Sequence, residues 1–249
     1  MKVVSEHQLF QTALALSIAC VLPACLGATN QIQANVARAS SERWNEHEQR
    51  GRKLIKEFPD RLDGYQELMI AIQFSEREKA SALANEILDS SAPEVFRLWA
   101  KGVLNRLNLM GKPLKMQFES LEGGQVDVGA MKGKVVLIDF WGIACVPCVE
   151  ALPEIKAAYQ KHHGQGFEVI GISFDDNKTR FLRFIKEKGI AWPQYFDGKS
   201  GVNNKYGREF GISAIPHMLL IDKKGCLRTD ILLQRQPLDM NIAKLLSEP

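Results

Sequence analysis

Apolar and polar residues follow two different rhythms along this chain. From Val36 to Leu107 the sequence is charged, poor in β-branched residues and helical in pattern. The predicted helices are Ser41–Phe58, which stops at Pro59, then Tyr65–Phe74, Glu76–Leu88 and Glu94–Leu107. Pro93 suits a first helical turn, and Ser90 or Ser91 can cap it. Short turns between short helices predict antiparallel hairpins, a small all-α domain over residues 36–108. Trp44 and Trp99 are expected in its core. Gly111-Lys112-Pro113 reads as a linker, and the rhythm then changes.

Beyond it, Val126-Asp127-Val128 reads as a short strand after the Gly123-Gly124 turn. Val135–Phe140 is a continuous apolar run interrupted only by Asp139, the pattern of a strand covered on both faces. A helix from Cys145 to His163 and a second buried strand, Phe167–Phe174, come next. Asp175, Asp176 and Asn177 read as a strand exit and helix cap leading into a helix through Lys188; the alternating spacing of a calcium loop is absent. His217–Asp222 and Cys226–Arg228 frame a Lys223-Lys224-Gly225 hairpin turn, and Leu238–Leu246 is a closing helix. This order predicts an α/β sandwich over residues 111–249, a mixed sheet flanked by helices.

Composition narrows the class. With 45% hydrophobic and 24% charged residues over 249 positions, wholesale disorder is excluded. A net charge of +3 is too mild to argue for a nucleic-acid surface. Five cysteines are too few for a disulfide scaffold. The one long apolar stretch, Thr12–Leu22 behind Lys2, has the length of a signal-peptide core, so residues 1–34 are expected to be an export leader. Cleavage near Ala28 or Ala34 is one outcome. Leu22-Pro23-Ala24-Cys25 also resembles a bacterial lipobox, which would leave a lipidated Cys25 at the mature N-terminus and a lipid anchor in the membrane. An uncleaved anchor helix is the third. The expected location is the periplasm or cell envelope.

Chemistry concentrates at Cys145-Val146-Pro147-Cys148, between a buried strand and a helix. Free N–H groups and the helix dipole at a helix start favour an anion, so the first thiol should ionise readily. The second sulfur lies one turn on, within reach of a disulfide. Pro147 is tolerated because first-turn N–H groups have no helical partner. In this reading the Cys145 thiolate attacks a disulfide and Cys148 resolves the mixed disulfide. The alternatives are an inert structural disulfide and half of a zinc site with His162 or His163. Adjacent histidines on a helix point about 100° apart, and no second Cys-x-x-Cys exists, so no metal is expected. Cys226 falls on the closing hairpin and is expected buried and inert.

Residues 111–249 resemble the thioredoxin-fold domain of TlpA/ResA-like envelope thiol–disulfide oxidoreductases. The resemblance rests on Lys132-Gly133-Lys134 through Trp141 ahead of the cysteines, Leu152-Pro153 after them, and Gly211–Pro216 followed by Leu219–Asp222. Trp192–Phe196 is similar to that family's extra βα insertion. The resemblance implies a cis bond before Pro216 facing the disulfide, with the Ile215 backbone pairing with a substrate strand. It implies that Trp141 is a groove wall, whereas composition alone reads it as core. Pro147 joins the substrate-contacting set. Asp139 matches a buried aspartate that takes the proton from the second cysteine; alternation puts its side chain on a covered face, the alternative being a solvated edge or a bond to backbone. It further implies protein disulfide or thiol substrates, a membrane electron donor, and no cofactor beyond the redox-active cysteine pair. Ala144 stands where the family carries Trp, Ala151 where it carries an acid (Glu150 lies one position earlier), and His217 where a small hydroxyl residue is common.

Two other functions compete. A peroxidase on the same fold needs Thr or Ser three residues before its cysteine, and those positions here are Gly142 and Cys145. A non-catalytic interaction protein would work through its helices and would not need both cysteines. The helices are expected to position the redox domain or bind a partner, leaving 111–249 competent toward a small disulfide by itself.

Overall fold

A computed structural model describes residues 44–59, 61–230 and 237–249. The leader over 1–34 and Cys25 therefore lie outside the described residues. The N-terminal pattern becomes four helices: α1 over 44–57, α2 (Asp63–Gln73), α3 (Arg77–Asp89) and α4 (Glu94–Leu109). Leu68 and Ile72 of α2, Leu83 and Ile87 of α3, and Phe96, Trp99 and Val103 of α4 share one apolar core. Each such side chain contributes roughly 1.5–3 kcal/mol of burial. Trp99 is fully enclosed, whereas Trp44 lies half-buried and stacks flat on Phe74 at 3.9 Å. Ion pairs from Arg52 to Glu86 and from Glu48 to Lys79 join α1 to α3. Exposed pairs of this kind are worth about 0–1 kcal/mol each, so they orient α1 more than they hold it.

The second rhythm becomes a ribbon of β1 (Gln117–Glu119) and β2 (Gln125–Asp127), followed by β3 (Val135–Trp141), α5 (Val146–His162), β4 (Phe167–Ser173) and α6 (Lys178–Glu187). Then come β5 (Gln194–Tyr195), α7 (Lys205–Phe210), β6 (His217–Ile221), β7 (Leu227–Asp230) and α8 (Leu238–Ser247). The main sheet runs β5-β4-β3-β6-β7, with β3, β4 and β5 parallel and β6 and β7 each antiparallel to the strand before them. This is the thioredoxin-like sandwich.

All seven residues of β3 are buried because both faces of the sheet are covered. Val136, Ile138 and Phe140 face a layer built from α7 and the β1–β2 ribbon, including Tyr206, Phe210, Phe118 and Val126. Val135, Leu137 and Trp141 face the opposite layer, where α5 supplies Leu152 and Ile155, α6 supplies Phe181 and Ile185, and α8 supplies Ile242 and Leu245.

Two expectations are corrected here. Gly111-Lys112-Pro113 is not a free linker: Gly111 N donates to Leu227 O at 2.7 Å, and Leu227 N donates to Lys112 O at 3.0 Å. Leu114 N donates to Gly225 O at 2.9 Å, so this strap occupies the outer edge of β7 and satisfies backbone groups that an edge strand would expose. The strand at Val126 is also shifted. It ends at Asp127, whose side chain turns to cap a 3-10 turn over Val128–Ala130 by accepting from Ala130 N.

Candidate active site

The chain leaves β3 at Trp141, turns through Gly142, Ile143 and Ala144, and enters α5. Cys145 is the N-cap of α5: its N–H donates to Gly142 O at 3.1 Å, and its Sγ accepts from Cys148 N at 3.3 Å. The two cysteines are joined in a disulfide with a Cα–Cα separation of 5.2 Å. Their exposure differs. Cys148 is 3% exposed and packs with Leu152 and Trp141, whereas Cys145 is half-buried and the intervening Val146 is 66% exposed. Pro147 is exposed at the second helical position, where a missing N–H costs nothing.

Asp139 lies on β3 between Leu137 and Trp141, both of which face the α5 layer, so its carboxyl faces the same layer as Cys148. It is 2% exposed, and its Oδ1 has no hydrogen-bond partner. Burial alone pushes its pKa up to about 7, because an ion there would forfeit its hydration. Such an acid can accept and release a proton near neutral pH. Of the two alternatives weighed for it, the solvated edge is excluded by this burial.

Asp175, expected only as a strand exit, reaches back to the cysteine loop. Its carboxylate accepts from Ile143 N at 3.1 and 3.2 Å and from Ser173 Oγ at 2.9 Å. Burial raises its pKa, with the bonds from Ser173 and Ile143 opposing that rise. The helix cap is Asn177, whose side chain accepts from Arg180 N at 2.9 Å. Sequence reasoning missed this role. The available signal was an acid at the carboxyl end of a parallel strand, where open α/β sheets gather their sites. A pocket of about 220 Å³ opens between this acid and the loop, lined by Ile143, Ala144, Asp175 and Arg180 among others.

The Ile215–Pro216 peptide is cis. Ile215 borders the same loop: a Cβ added at Gly142 would lie 3.3 Å from Ile215 Cδ1. The structure thus brings Cys145, Cys148, Pro147, Asp139, Ile215 and Asp175 to one end of the sheet.

Two further expectations, for Trp141 and Cys226, are corrected. Trp141 is not a groove wall; it is 1% exposed, in the core, and its indole N–H donates to Gln194 Oε1 at 3.0 Å. Gln194 was not anticipated either. Its amide lies over Gly171, where any Cβ would overlap it, and donates to Trp192 O at 3.2 Å. His217 shares the face of Leu219 and Ile221 and meets Phe140 edge-on at 6.3 Å, across the sheet from Cys148. Cys226 is a free thiol and half-buried rather than enclosed. His162 and His163 sit at the far end of α5, bonded to Asp239 at 2.7 Å and Phe167 O at 3.2 Å. Among the described residues, no group of three or more His, Cys, Asp or Glu is placed to hold a metal.

Comparison with known proteins places the chain in a family and supports the fold. The Redoxin family model matches residues 109–245. The thiol-disulfide oxidoreductase ResA of Bacillus thuringiensis is 30% identical over 105 residues, 42% of this chain and 58% of the relative. ResA of Bacillus subtilis is 28% identical over 107 residues, 43% of this chain and 58% of the relative. The match therefore spans under two thirds of these relatives' own length. A solved C-terminal domain from a Bacteroides thetaiotaomicron protein, assigned to the thiol-disulfide oxidoreductases, superposes with a TM-score of 0.50 at 23% identity. It covers 56% of this chain and 97% of that domain, a likeness of fold.

Proposed function

The chain belongs to the Redoxin family through residues 109–245, and from that premise we propose that it is an envelope thiol–disulfide oxidoreductase that reduces protein disulfides through Cys145 and Cys148. One observation carries the reading: a disulfide at a helix N-terminus whose outer sulfur belongs to a half-buried Cys145 and whose inner sulfur belongs to a buried Cys148, with the buried acid Asp139 on the sheet face that this helix covers. In the reduced protein, α5 stabilises a thiolate at Cys145 through its free N–H groups and dipole. That thiolate attacks a substrate disulfide, forms the mixed disulfide and expels one substrate thiolate. Asp139 takes the proton from Cys148, and the Cys148 sulfur attacks Cys145 Sγ, releasing the second substrate thiol. Two electrons pass to the substrate, and the enzyme is left with the Cys145–Cys148 disulfide. Ile215 and Pro216 hold the substrate strand, and Val146 and Pro147 meet it from the helix side.

Location and partners are part of the proposal. The apolar stretch Thr12–Leu22 supports export, and Cys25 is the candidate lipid anchor. Among the described residues, no helix is long and apolar enough to cross a membrane. A membrane electron donor restores the dithiol. The decisive test is reduction of insulin disulfides by the full-length protein, with Cys145→Ser and Cys148→Ser as controls. Turnover by wild type that both substitutions abolish supports the reading. Wild-type inactivity, or activity that survives Cys145→Ser, overturns it. Trapping with Cys148→Ala then identifies the substrate, because the mixed disulfide on Cys145 cannot be resolved.

A further inference from the structure

The last helix of the N-terminal layer ends on the helix that feeds the substrate-side loop. α7 is six residues long, and its last carbonyls have no donor within the helix. α4 supplies donors from outside. Arg106 Nη1 donates to Phe210 O at 2.5 Å and to Gly211 O at 3.2 Å, and Asn105 Nδ2 donates to Glu209 O at 3.0 Å. Arg106 is 4% exposed, so its charge sits against the negative end of α7 with little water to screen it.

Two glycines permit this approach. A Cβ at Gly102 would overlap the Arg208 carbonyl, and one at Gly211 would overlap Val103. Gly211 also has φ +62°, the left-handed turn that ends α7, with Ile212 N donating to Gly207 O at 2.7 Å. Only Ile212 to Ile215 separate this capped end from Pro216. Ile212 is buried in the core beneath, and Ile215 borders Gly142 of the cysteine loop. The end of α7 that α4 caps therefore leads, within four residues, to the surface beside the disulfide.

We propose that Arg106 is a positioning residue for the 212–216 loop, and that the N-terminal helices are thereby a working part of the substrate-binding surface rather than an appended module. The inference rests on the proposed function, since the loop matters to turnover only where a substrate strand lies on it. Arg106 touches neither sulfur nor substrate. It sets the fraction of molecules whose loop is ready to pair, and the apparent affinity falls with that fraction. Substrates that need the loop feel its loss, and small disulfides that need only Cys145 do not.

The test uses the full chain with Arg106→Met, which keeps bulk and removes every donor, and Arg106→Lys, which keeps the charge. Asn105→Asp is a third variant, placing a carboxylate against Glu209 O at an exposed position that does not threaten folding. For Arg106→Met, KM for insulin is expected to rise about tenfold, equivalent to about 1.4 kcal/mol, with kcat nearly unchanged. Turnover of hydroxyethyl disulfide and the Cys145–Cys148 reduction potential should match wild type. Arg106→Lys should recover part of the loss, and Asn105→Asp should show a smaller change in the same direction. Unchanged KM in the folded variants overturns the proposal, as does a parallel loss on both substrates with a shifted potential, which marks a purely structural role. If Arg106→Met does not fold, Asn105→Asp carries the comparison. Amide exchange across 212–216 separates this inference from the functional reading: should wild type reduce neither disulfide, faster exchange in the variants still supports the positioning, and unchanged exchange ends it.

Discussion

Replacing Asp139 by Asn removes a proton site from the interior with little change of shape, and the consequence can be worked out from its surroundings. In the folded protein burial holds its pKa at about 7, against an ordinary value of 3.8. Below about pH 4 the carboxyl is protonated in both folded and unfolded chains, so its contribution to stability is fully present. Between about pH 4 and pH 7 the unfolded chain releases the proton while the folded protein keeps it, and each pH unit costs about 1.4 kcal/mol. Above about pH 7 the loss levels off at roughly 4 kcal/mol. Asn has no such dependence. Urea unfolding of the oxidised proteins, in which the two cysteines do not titrate, should therefore give nearly equal stability at pH 4. The variant should become progressively more stable than wild type, by roughly 4 kcal/mol at pH 8. The same substitution should slow resolution of the mixed disulfide by about 10²–10⁴-fold, the usual worth of positioned acid–base help, while initial attack by Cys145 changes much less. A stability difference that stays constant from pH 4 to pH 8 would refute the burial argument. Equal rates of resolution in rapid mixing would remove Asp139 from the chemistry.

Three further outcomes are expected. Limiting alkylating reagent applied to the reduced protein should modify Cys145 before Cys148, because Cys148 is enclosed; preferential labelling of Cys148 reverses the assignment. Asp175→Ala leaves Ile143 N without its acceptor and should cost about 1–3 kcal/mol, while Asp175→Asn, which retains a carbonyl, should recover much of it in thermal unfolding; identical melting of the two variants would show that the bond to the cysteine loop contributes nothing. Intact mass of the mature envelope form should begin at Cys25 with added acyl mass, and an unmodified chain starting beyond Cys25 ends the lipid-anchor proposal.

Much of the redox half was legible because its elements are long and their patterns unambiguous. Val135–Phe140 is apolar apart from Asp139, and Phe167–Phe174 is mostly apolar with Glu168 and Ser173 as its polar members, the pattern of strands covered on both faces, and they became β3 and β4. The Cys145–Cys148 spacing at a helix start is chemistry written in four consecutive residues. The four N-terminal helices were equally clear, since three or four turns give the helical period room to repeat. Periodicity could not find β5 or α7, since two residues and six residues are too few for any period, and only the resemblance at Trp192–Phe196 pointed to β5.

Local sequence determined that Asp139 is an acid in an apolar strand, that Trp141 is a large aromatic beside a cysteine pair, and that Arg106 is one cation among many on a helix. Which of them meets the chemistry was a matter of register and docking. Pairing of β3 with β4 and β6 placed Asp139 on the face that α5 covers, turned Trp141 inward to Gln194, and left His217 on the other side. Arg106 differs from its neighbours because Gly102 and Gly211 let α4 press against α7, where unpaired carbonyls 104 and 105 residues away await a donor. Periodicity is a property of neighbours along the chain, so the sequence alone determines it. A buried charge or a capped helix end depends on groups brought together from distant segments, and only their packing supplies both the partner and the exclusion of water that gives the contact its energy.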